Sequence, residues 1–172
     1  MLFGRYTHNI DTKSRVFVPA KLRPDLGDRF YVSYSPLRKC LRAYSEHEWE
    51  IYADKLSMIE LDPDGNIERL ISEIMEYTTL VDVDSQGRIP LSADQLAKVG
   101  ITDKALFIGN NRWAEIWSPE GREKYIAPSG GAESRLMAEQ AIRNADRNDA
   151  PAIPRTAEKP AGAPAEKPVS AE

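Results

Sequence analysis

The residues whose spacing could do chemistry are two aspartate–arginine pairs. Asp11 stands four residues before Arg15, and Asp84 stands four residues before Arg88, each pair between two β-prone runs. Across a tight turn this spacing lets the carboxylate fold back onto the guanidinium, and an arginine fork that meets a carboxylate forms a strong and directional pair. A single pattern of this kind arises easily by chance. Two of them in matching surroundings predict turns that are braced by their own side chains.

The surroundings match because the chain contains an internal repeat. An offset of 73 residues aligns 10–16 with 83–89 and 40–45 with 113–118. Each copy therefore predicts a strand, a tight turn, a second strand, a short helix and two further strands. The runs 30–34 and 105–108 are predicted strands because aromatic and β-branched residues dominate them.

Helical sequence lies between the copies and after them. A capping-box pattern at 45–48 predicts the start of one helix, with Ser45 facing the helix amides and Glu48 reaching back. A turn at 62–65 precedes a second helix with apolar residues at helical spacing. The resulting division is a first copy at 5–51, a connecting helical segment at 52–79, a second copy at 80–123, a C-terminal helix at 131–144 and a disordered proline- and alanine-rich tail at 145–172.

The charge of the chain is unevenly distributed. The whole sequence has a formal net charge of -4, but residues 1–42 carry nine Lys/Arg against three acidic residues. Such asymmetry indicates a polyanion-binding face on a protein that is acidic elsewhere. The alternative is that these cations are only solvated strand and turn residues.

The composition argues against several classes of function. No apolar run reaches the ~18 residues that a membrane span needs, and the N-terminus lacks a signal pattern. One cysteine, Cys40, and two histidines cannot supply a disulfide or a zinc site. Glycine loops of the kind that cradle nucleotide phosphates do not occur. We therefore expect a non-enzymatic cytoplasmic protein with no cofactor, no metal, no membrane association and no small-molecule substrate.

One long motif opens the chain: Gly4-Arg5-Tyr6-x-His8-x-Ile10-Asp11-x-Lys13-x-Arg15-Val16-x-Val18-Pro19-Ala20-Lys21-Leu22-Arg23. Shorter motifs follow it: Gly27-Asp28, Glu48-Trp49, Asp84-x-x-Gly87-Arg88-Ile89 and Glu115-Ile116-Trp117. Together these motifs resemble the MraZ family over about residues 1–125.

The resemblance implies a bacterial transcriptional regulator built from two SpoVT-AbrB-type repeats. The implied fold class is α+β, a tandem swapped-hairpin (AbrB-like) β-barrel with intervening and C-terminal helices that assembles into homo-oligomeric rings. Proteins of this family bind repeated boxes in the promoter of the division and cell-wall gene cluster. The implied partners are double-stranded DNA and further copies of the chain, in the cytoplasm and nucleoid. The family's Asp-x-x-x-Arg motifs mark the DNA-facing loops, here Asp11 with Arg15 and Asp84 with Arg88.

The roles of the candidate DNA-binding residues follow from their chemistry. Arginine can contact guanine O6 and N7 together, so Arg15 is the predicted base reader. Other cations act mainly by neutralising phosphates. The predicted DNA contacts besides Arg15 are Lys13, Arg5 and Lys21 on phosphates and Arg88 in the second copy, with Asp11 and Asp84 bracing the motifs.

The sequence departs from the family pattern in both copies. Ser14 stands where the first motif usually has glycine, so that turn must accommodate a side chain. In the second copy Pro90 replaces a strand residue, and Ser92 aligns with Pro19. Because proline cannot donate to a strand ladder, Pro90 predicts an edge or bulged strand.

Two other functions stay open on the sequence. One is a non-DNA oligomeric scaffold whose basic N-terminal face docks an acidic partner. The other is an AbrB-like antitoxin or transition-state regulator, against which the tandem copies argue, because such proteins usually carry one copy and dimerise.

Overall fold

The computed structural model describes residues 1–127 and 132–147. They belong to two units divided after Ala127. The first unit holds both sequence copies. The first copy forms β1 (Arg5–Asn9), β2 (Arg15–Phe17), α1 (Arg23–Leu26), β3 (Arg29–Ser35) and β4 (Cys40–Ser45). Helix α2 (Glu46–Ser57) begins at the end of the first copy and continues into the connecting segment, which also contains α3 (Asn66–Glu76). The second copy forms β5 (Thr79–Asp82), β6 (Arg88–Pro90), α4 (Ala93–Val99), β7 (Lys104–Asn110), β8 (Trp113–Trp117) and α5 (Pro119–Ile126).

Six of the strands form one antiparallel sheet in the order β1-β7-β8-β4-β3-β5. The first strand of each copy pairs with the other copy, since β1 lies beside β7 and β5 lies beside β3. The hairpins β3–β4 and β7–β8 adjoin through the β4–β8 pairing at the centre. The exchange of first strands therefore interlocks the two copies. The predicted strands at 30–34 and 105–108 are confirmed within β3 and β7.

The predicted β-barrel is not a closed barrel in the structure. The six-stranded sheet is open at β1 and β5. Within residues 1–127, β2 and β6 form a separate two-stranded sheet, and Val16 of β2 also makes an isolated bridge to Ile10. These two strands have three residues each, and β6 ends at Pro90, which has no N–H to donate. Strands this short cannot pair with both edges of the larger sheet, so they do not close it into a barrel. The edge position predicted for the strand that contains Pro90 is confirmed, and the fold is a mixed α+β architecture.

The two short strands are anchored by the apolar core. Val16 and Ile89 are paired opposite each other, and both are fully buried. They pack in one cluster with large residues of the six-stranded sheet, including Phe30, Phe107 and Ile116. Burying a Val or Ile side chain is worth roughly 1.5–3 kcal/mol. The core therefore fixes the bases of the two turns that precede Val16 and Ile89.

A second apolar cluster holds the connecting helices. Trp49 and Leu56 of α2 and Ile74 of α3 pack with Tyr44 of β4. Ser45 caps α2 as predicted, because its side chain accepts a hydrogen bond from the Glu48 N–H at 3.3 Å. The other predicted contact of the capping box, from the Glu48 side chain back to the start of α2, is wrong.

The Glu48 carboxylate does not reach back to the start of α2. It pairs instead with Arg112 Nε at 3.2 Å, since the β7–β8 turn brings a cation within reach. At α3 the N-cap residue is Gly65, and the carboxylate of Asp62 accepts from the Asn66 and Ile67 N–H groups at 3.0 and 2.7 Å. The turn at 62–65 thus begins α3 as the sequence predicts.

The second unit is described only through α6 (Ala132–Arg147). The sequence predicts a helix at 131–144, and α6 extends past that range into the predicted tail. The remaining tail, 148–172, lies outside the described residues. Among the helices of the described ranges, none is both long enough and apolar enough to cross a membrane.

The repeat makes a prediction about helix caps. Ser45 and Ser118 are equivalent by the 73-residue offset, and each side chain accepts an N–H from the first turn of its helix, at 3.3 and 3.1 Å. Replacing either serine with alanine should lower the free energy of unfolding by about 1 kcal/mol, because the N–H loses its partner. Urea denaturation measures the change.

The matched control is Ser72→Ala, at an exposed position inside α3. It should be neutral or slightly stabilising, since alanine favours helix interiors. Losses at Ser45 and Ser118 no larger than the control's would contradict the capping role.

Candidate nucleic-acid interface

The first Asp–Arg turn is closed by its own aspartate. Asp11 Oδ1 accepts hydrogen bonds from the backbone N–H groups of Lys13 and Arg15, each at 2.9 Å. Asp11 Oδ2 accepts from Arg15 Nε at 2.8 Å and also lies 2.8 Å from Arg15 Nη2. Ser14 takes the left-handed conformation with φ 56°, so the turn accommodates its side chain as expected. One carboxylate thus fixes both the backbone of the turn and the arginine after it.

The second turn repeats this geometry. Asp84 Oδ1 accepts from the N–H groups of Gln86 and Arg88, each at 2.9 Å. Asp84 Oδ2 accepts from Arg88 Nε at 2.9 Å and lies 2.8 Å from Arg88 Nη2. Gly87, with φ 81°, occupies the place of Ser14. The repeated motif therefore builds the same turn twice.

The two turns meet through their charged side chains. Arg88 Nη1 lies 3.5 Å from Asp11 Oδ2, and Arg15 Nη1 lies 3.8 Å from Asp84 Oδ2. We call these four residues the Asp–Arg quartet. Each arginine contacts both aspartates, so the quartet has approximate two-fold symmetry. Its two positive and two negative charges cancel.

The backbone follows the same symmetry. Val18 N–H donates to the Gly87 carbonyl at 2.9 Å, and Leu91 N–H donates to the Ser14 carbonyl at 2.9 Å. Each turn thus receives a hydrogen bond from the strand end of the other copy. The two turns are held side by side as one rigid surface feature.

Hydrogen bonds within each turn lower the pKa of both carboxyl groups. The backbone hydrogen bond from Arg15 is the largest cause for Asp11, whose pKa falls to about 2, and the side-chain bond from Arg15 adds to it. The backbone hydrogen bond from Arg88 likewise lowers the pKa of Asp84. Both groups are therefore ionised at neutral pH, as ion pairing requires.

The predicted site residues differ in exposure. The side chains of Arg15 and Arg88 are 29% and 16% exposed and belong to the quartet. Lys13 is exposed at the tip of the first turn, while Arg5 in β1 and Lys21 before α1 are exposed away from it. The hydrogen bonds and ion pairs of the described residues do not join Arg5 or Lys21 to the quartet. The structure thus brings together four of the predicted residues directly and Lys13 through the backbone of its turn.

Arg23 adds a contact that the sequence analysis did not assign. Its Nε donates to the Val18 carbonyl at 3.1 Å, and its guanidinium lies where a side chain at Gly87 would be, 2.6–2.7 Å from a Cβ built there. A side chain at position 87 would displace the end of the flexible Arg23 side chain, and the φ of 81° at Gly87 favours glycine. The repeat gave no signal for Arg23, because the 73-residue offset places it on Leu96.

His8 lies near the same cation. Burial is the main cause that lowers the pKa of His8, and the charge of Arg23 lowers it further. The His8 ring packs 6.3 Å from the rings of both Phe17 and Phe107. These contacts give His8 a packing role beside the turns.

The fold and the quartet define a class of protein: a two-copy α+β chain with paired Asp–Arg turns at its surface. A family model described as "MraZ protein, putative antitoxin-like" matches residues 1–67. Several relatives, each named Transcriptional regulator MraZ, match most of the chain.

The relative from Thermoanaerobacter pseudethanolicus is 37% identical over 125 residues, covering 73% of this chain and 86% of the relative. That from Desulforamulus reducens is 32% identical, covering 79% and 94%. That from Thermomicrobium roseum is 34% identical, covering 80% and 98%. The chain belongs to the MraZ family of transcriptional regulators, as the resemblance in its sequence indicated.

The lowered pKa of Asp11 predicts a specific dependence of stability on pH. The pKa of Asp11 is about 2 in the folded chain against an ordinary value of 3.8. The stability that its ionised form contributes is present above pH ~4 and is lost as the pH falls through about 2. The free energies of unfolding of wild type and Asp11→Asn should therefore differ at pH 5 and converge toward pH 2, as measured by urea denaturation across this range.

Asp64→Asn serves as the control, because Asp64 is exposed and forms no ion pair with the described residues. Its free energy of unfolding should equal that of wild type at every pH from 5 to 2. A difference for Asp11→Asn that stays constant from pH 5 to pH 2 would show that the carboxylate charge does not stabilise the turn.

Proposed function

We propose that this chain is a sequence-specific, DNA-binding transcriptional regulator whose paired turns contact double-stranded DNA. The observation that carries the proposal is the Asp–Arg quartet, which holds two exposed turns side by side in one conformation. A reader of DNA needs such preorganisation, because ordering mobile loops on binding would reduce its affinity. The family membership supports the same function.

Unpaired cations around the turns supply the attraction to phosphate. Within the described residues, Arg5, Lys13 and Lys21 are exposed and have no acidic partner, whereas Arg29 and Arg38 are ion-paired with Asp82 and Glu115. Affinity for DNA grows with the number of phosphates that are neutralised. We assign Lys13, Arg5 and Lys21 to phosphate contacts.

Arg15 is the proposed base reader. Its Nε and Nη2 are held by Asp11, while its Nη1 makes the longest contact of the quartet, 3.8 Å to Asp84. The outward N–H groups of Nη1 and Nη2 can donate to guanine O6 and N7 while Asp11 holds Nε in place. Arg88 is less exposed, and its Nη1 is closer to Asp11, so we assign it a minor contact.

Assembly into a ring would multiply these contacts. Apolar side chains of the connecting segment are exposed: Met58, Ile59, Leu61, Leu70 and Met75. A neighbouring copy could cover them, and a closed ring would present the paired turns at a fixed spacing. Repeated DNA boxes about one helical turn apart, ~34–36 Å, would then bind several copies at once. We propose that these boxes lie in the promoter of the division and cell-wall gene cluster, and that this non-enzymatic regulator acts in the cytoplasm at the nucleoid.

Fluorescence anisotropy with duplex DNA tests the proposal. A duplex from upstream of the protein's own gene is compared with a scrambled duplex across a salt series. Wild type should prefer the native duplex at moderate salt, and Arg15→Ala should remove most of that preference, since a bidentate guanine contact is worth ~1–3 kcal/mol. Lys13→Ala should weaken binding to both duplexes alike and reduce the slope of log K against log salt by about 1.

The matched control for Lys13 is Lys55→Ala, an exposed lysine at the end of α2. It should change neither affinity nor salt slope. Equal, weak binding of both duplexes at every salt concentration would contradict the proposal and would favour the scaffold alternative, in which the basic face docks an acidic protein.

A further inference from the structure

The paired turns carry unlike side chains at equivalent positions. Lys13 and Gln86 each stand two residues after the aspartate of their turn, and the N–H of each is held by that aspartate at 2.9 Å. Both side chains are exposed. The same backbone scaffold therefore presents an ammonium group in one copy and a neutral amide in the other.

The amide of Gln86 is free, whereas the arginine of its turn is engaged. All three guanidinium nitrogens of Arg88 lie 2.8–3.5 Å from carboxylate oxygens of Asp84 and Asp11. The guanidinium also lies over the Phe17 ring at 5.9 Å. The Gln86 side chain makes no hydrogen bond with any described residue. In the second turn, the exposed side chains of Ser85 and Gln86 therefore keep hydrogen-bonding groups available to a ligand. Of the two, only the Gln86 carboxamide offers a donor and an acceptor side by side for a bidentate contact.

A free carboxamide has a defined preference among the base edges of the major groove. Its N–H and C=O groups can contact adenine N7 and N6 together, and no other base offers this pair in that geometry. A neutral amide gains little from phosphate, in contrast to Lys13. We propose that Gln86 is the base-reading residue of the second turn and that it reads adenine. This inference rests on the proposed DNA-binding function.

The consequence is an asymmetric recognition unit. The quartet and the backbone bonds relate the two turns by an approximate two-fold axis, so identical tips would favour a palindromic sequence. With Lys13 at one tip and Gln86 at the other, adenine is specified on one side only. The DNA unit bound by one chain is therefore non-palindromic.

Selection from randomised duplexes, followed by anisotropy on the selected sequences, tests the assignment. Wild type should select adenine at one position, and Gln86→Ala should lose 5- to 150-fold of the preference there, roughly the value of one bidentate contact. Gln86→Glu should shift the preference from adenine toward cytosine, because a carboxylate can only accept and cytosine N4 donates. Preferences at the other positions should stay unchanged.

Folding is preserved in these variants because Asp84 holds the backbone N–H of residue 86 rather than its side chain. Gln140→Ala, at an exposed glutamine of α6, is the matched control and should select the wild-type sequence. If Gln86→Ala and Gln86→Glu both select the wild-type sequence with undiminished preference, Gln86 does not read a base and the inference is overturned. If wild type itself selects no sequence, the proposed function fails, a result that is distinct from the failure of Gln86 alone.

Discussion

The structure depends on the carboxylates of Asp11 and Asp84, each of which makes two kinds of contact. Asp11 and Asp84 close their own turns through backbone N–H groups, and they also bind both arginines of the quartet. A single Asp–Arg pair would shape one turn and leave it free to move against the rest of the chain. Sharing the carboxylates couples the turns, and the backbone bonds of Val18 and Leu91 reinforce that coupling. The paired turns therefore behave as one surface element.

Local features of the fold could be predicted from the sequence because they depend on residues that are close together in the chain. The Asp–Arg turns, the strands at 30–34 and 105–108 and the Ser45 cap all involve partners a few positions apart. The open sheet could not be predicted, since it depends on which distant strands pair and on the short length of β2 and β6. Glu48 shows the same limit, because a capping box is a local expectation that a distant cation, Arg112, overrides.

In the candidate site, too, the sequence predicts local features and misses contacts between distant residues. The repeat identified the four quartet residues, but contacts across the quartet join the copies and have no signal in either copy alone. Arg23 was visible only as one of several cations, because its place against Gly87 depends on packing between the copies. Nothing in the sequence distinguishes Gln86, since an exposed glutamine is usually just solvated. The structure distinguishes Gln86 because Arg88, in the same turn, is held by Asp84 and Asp11.

The presence of both copies in one chain changes what the fold can recognise. A dimer of identical one-copy chains would present identical turns, and any substitution in one would appear in both. Here the residues of the quartet are the same in both copies, so the scaffold keeps its symmetry. The tips differ, because Lys13 and Gln86 are encoded separately and neither is needed to hold its turn. A symmetric brace with independently variable tips thus lets one chain specify unlike contacts on the two sides of its axis, which a one-copy dimer cannot do without breaking its own symmetry.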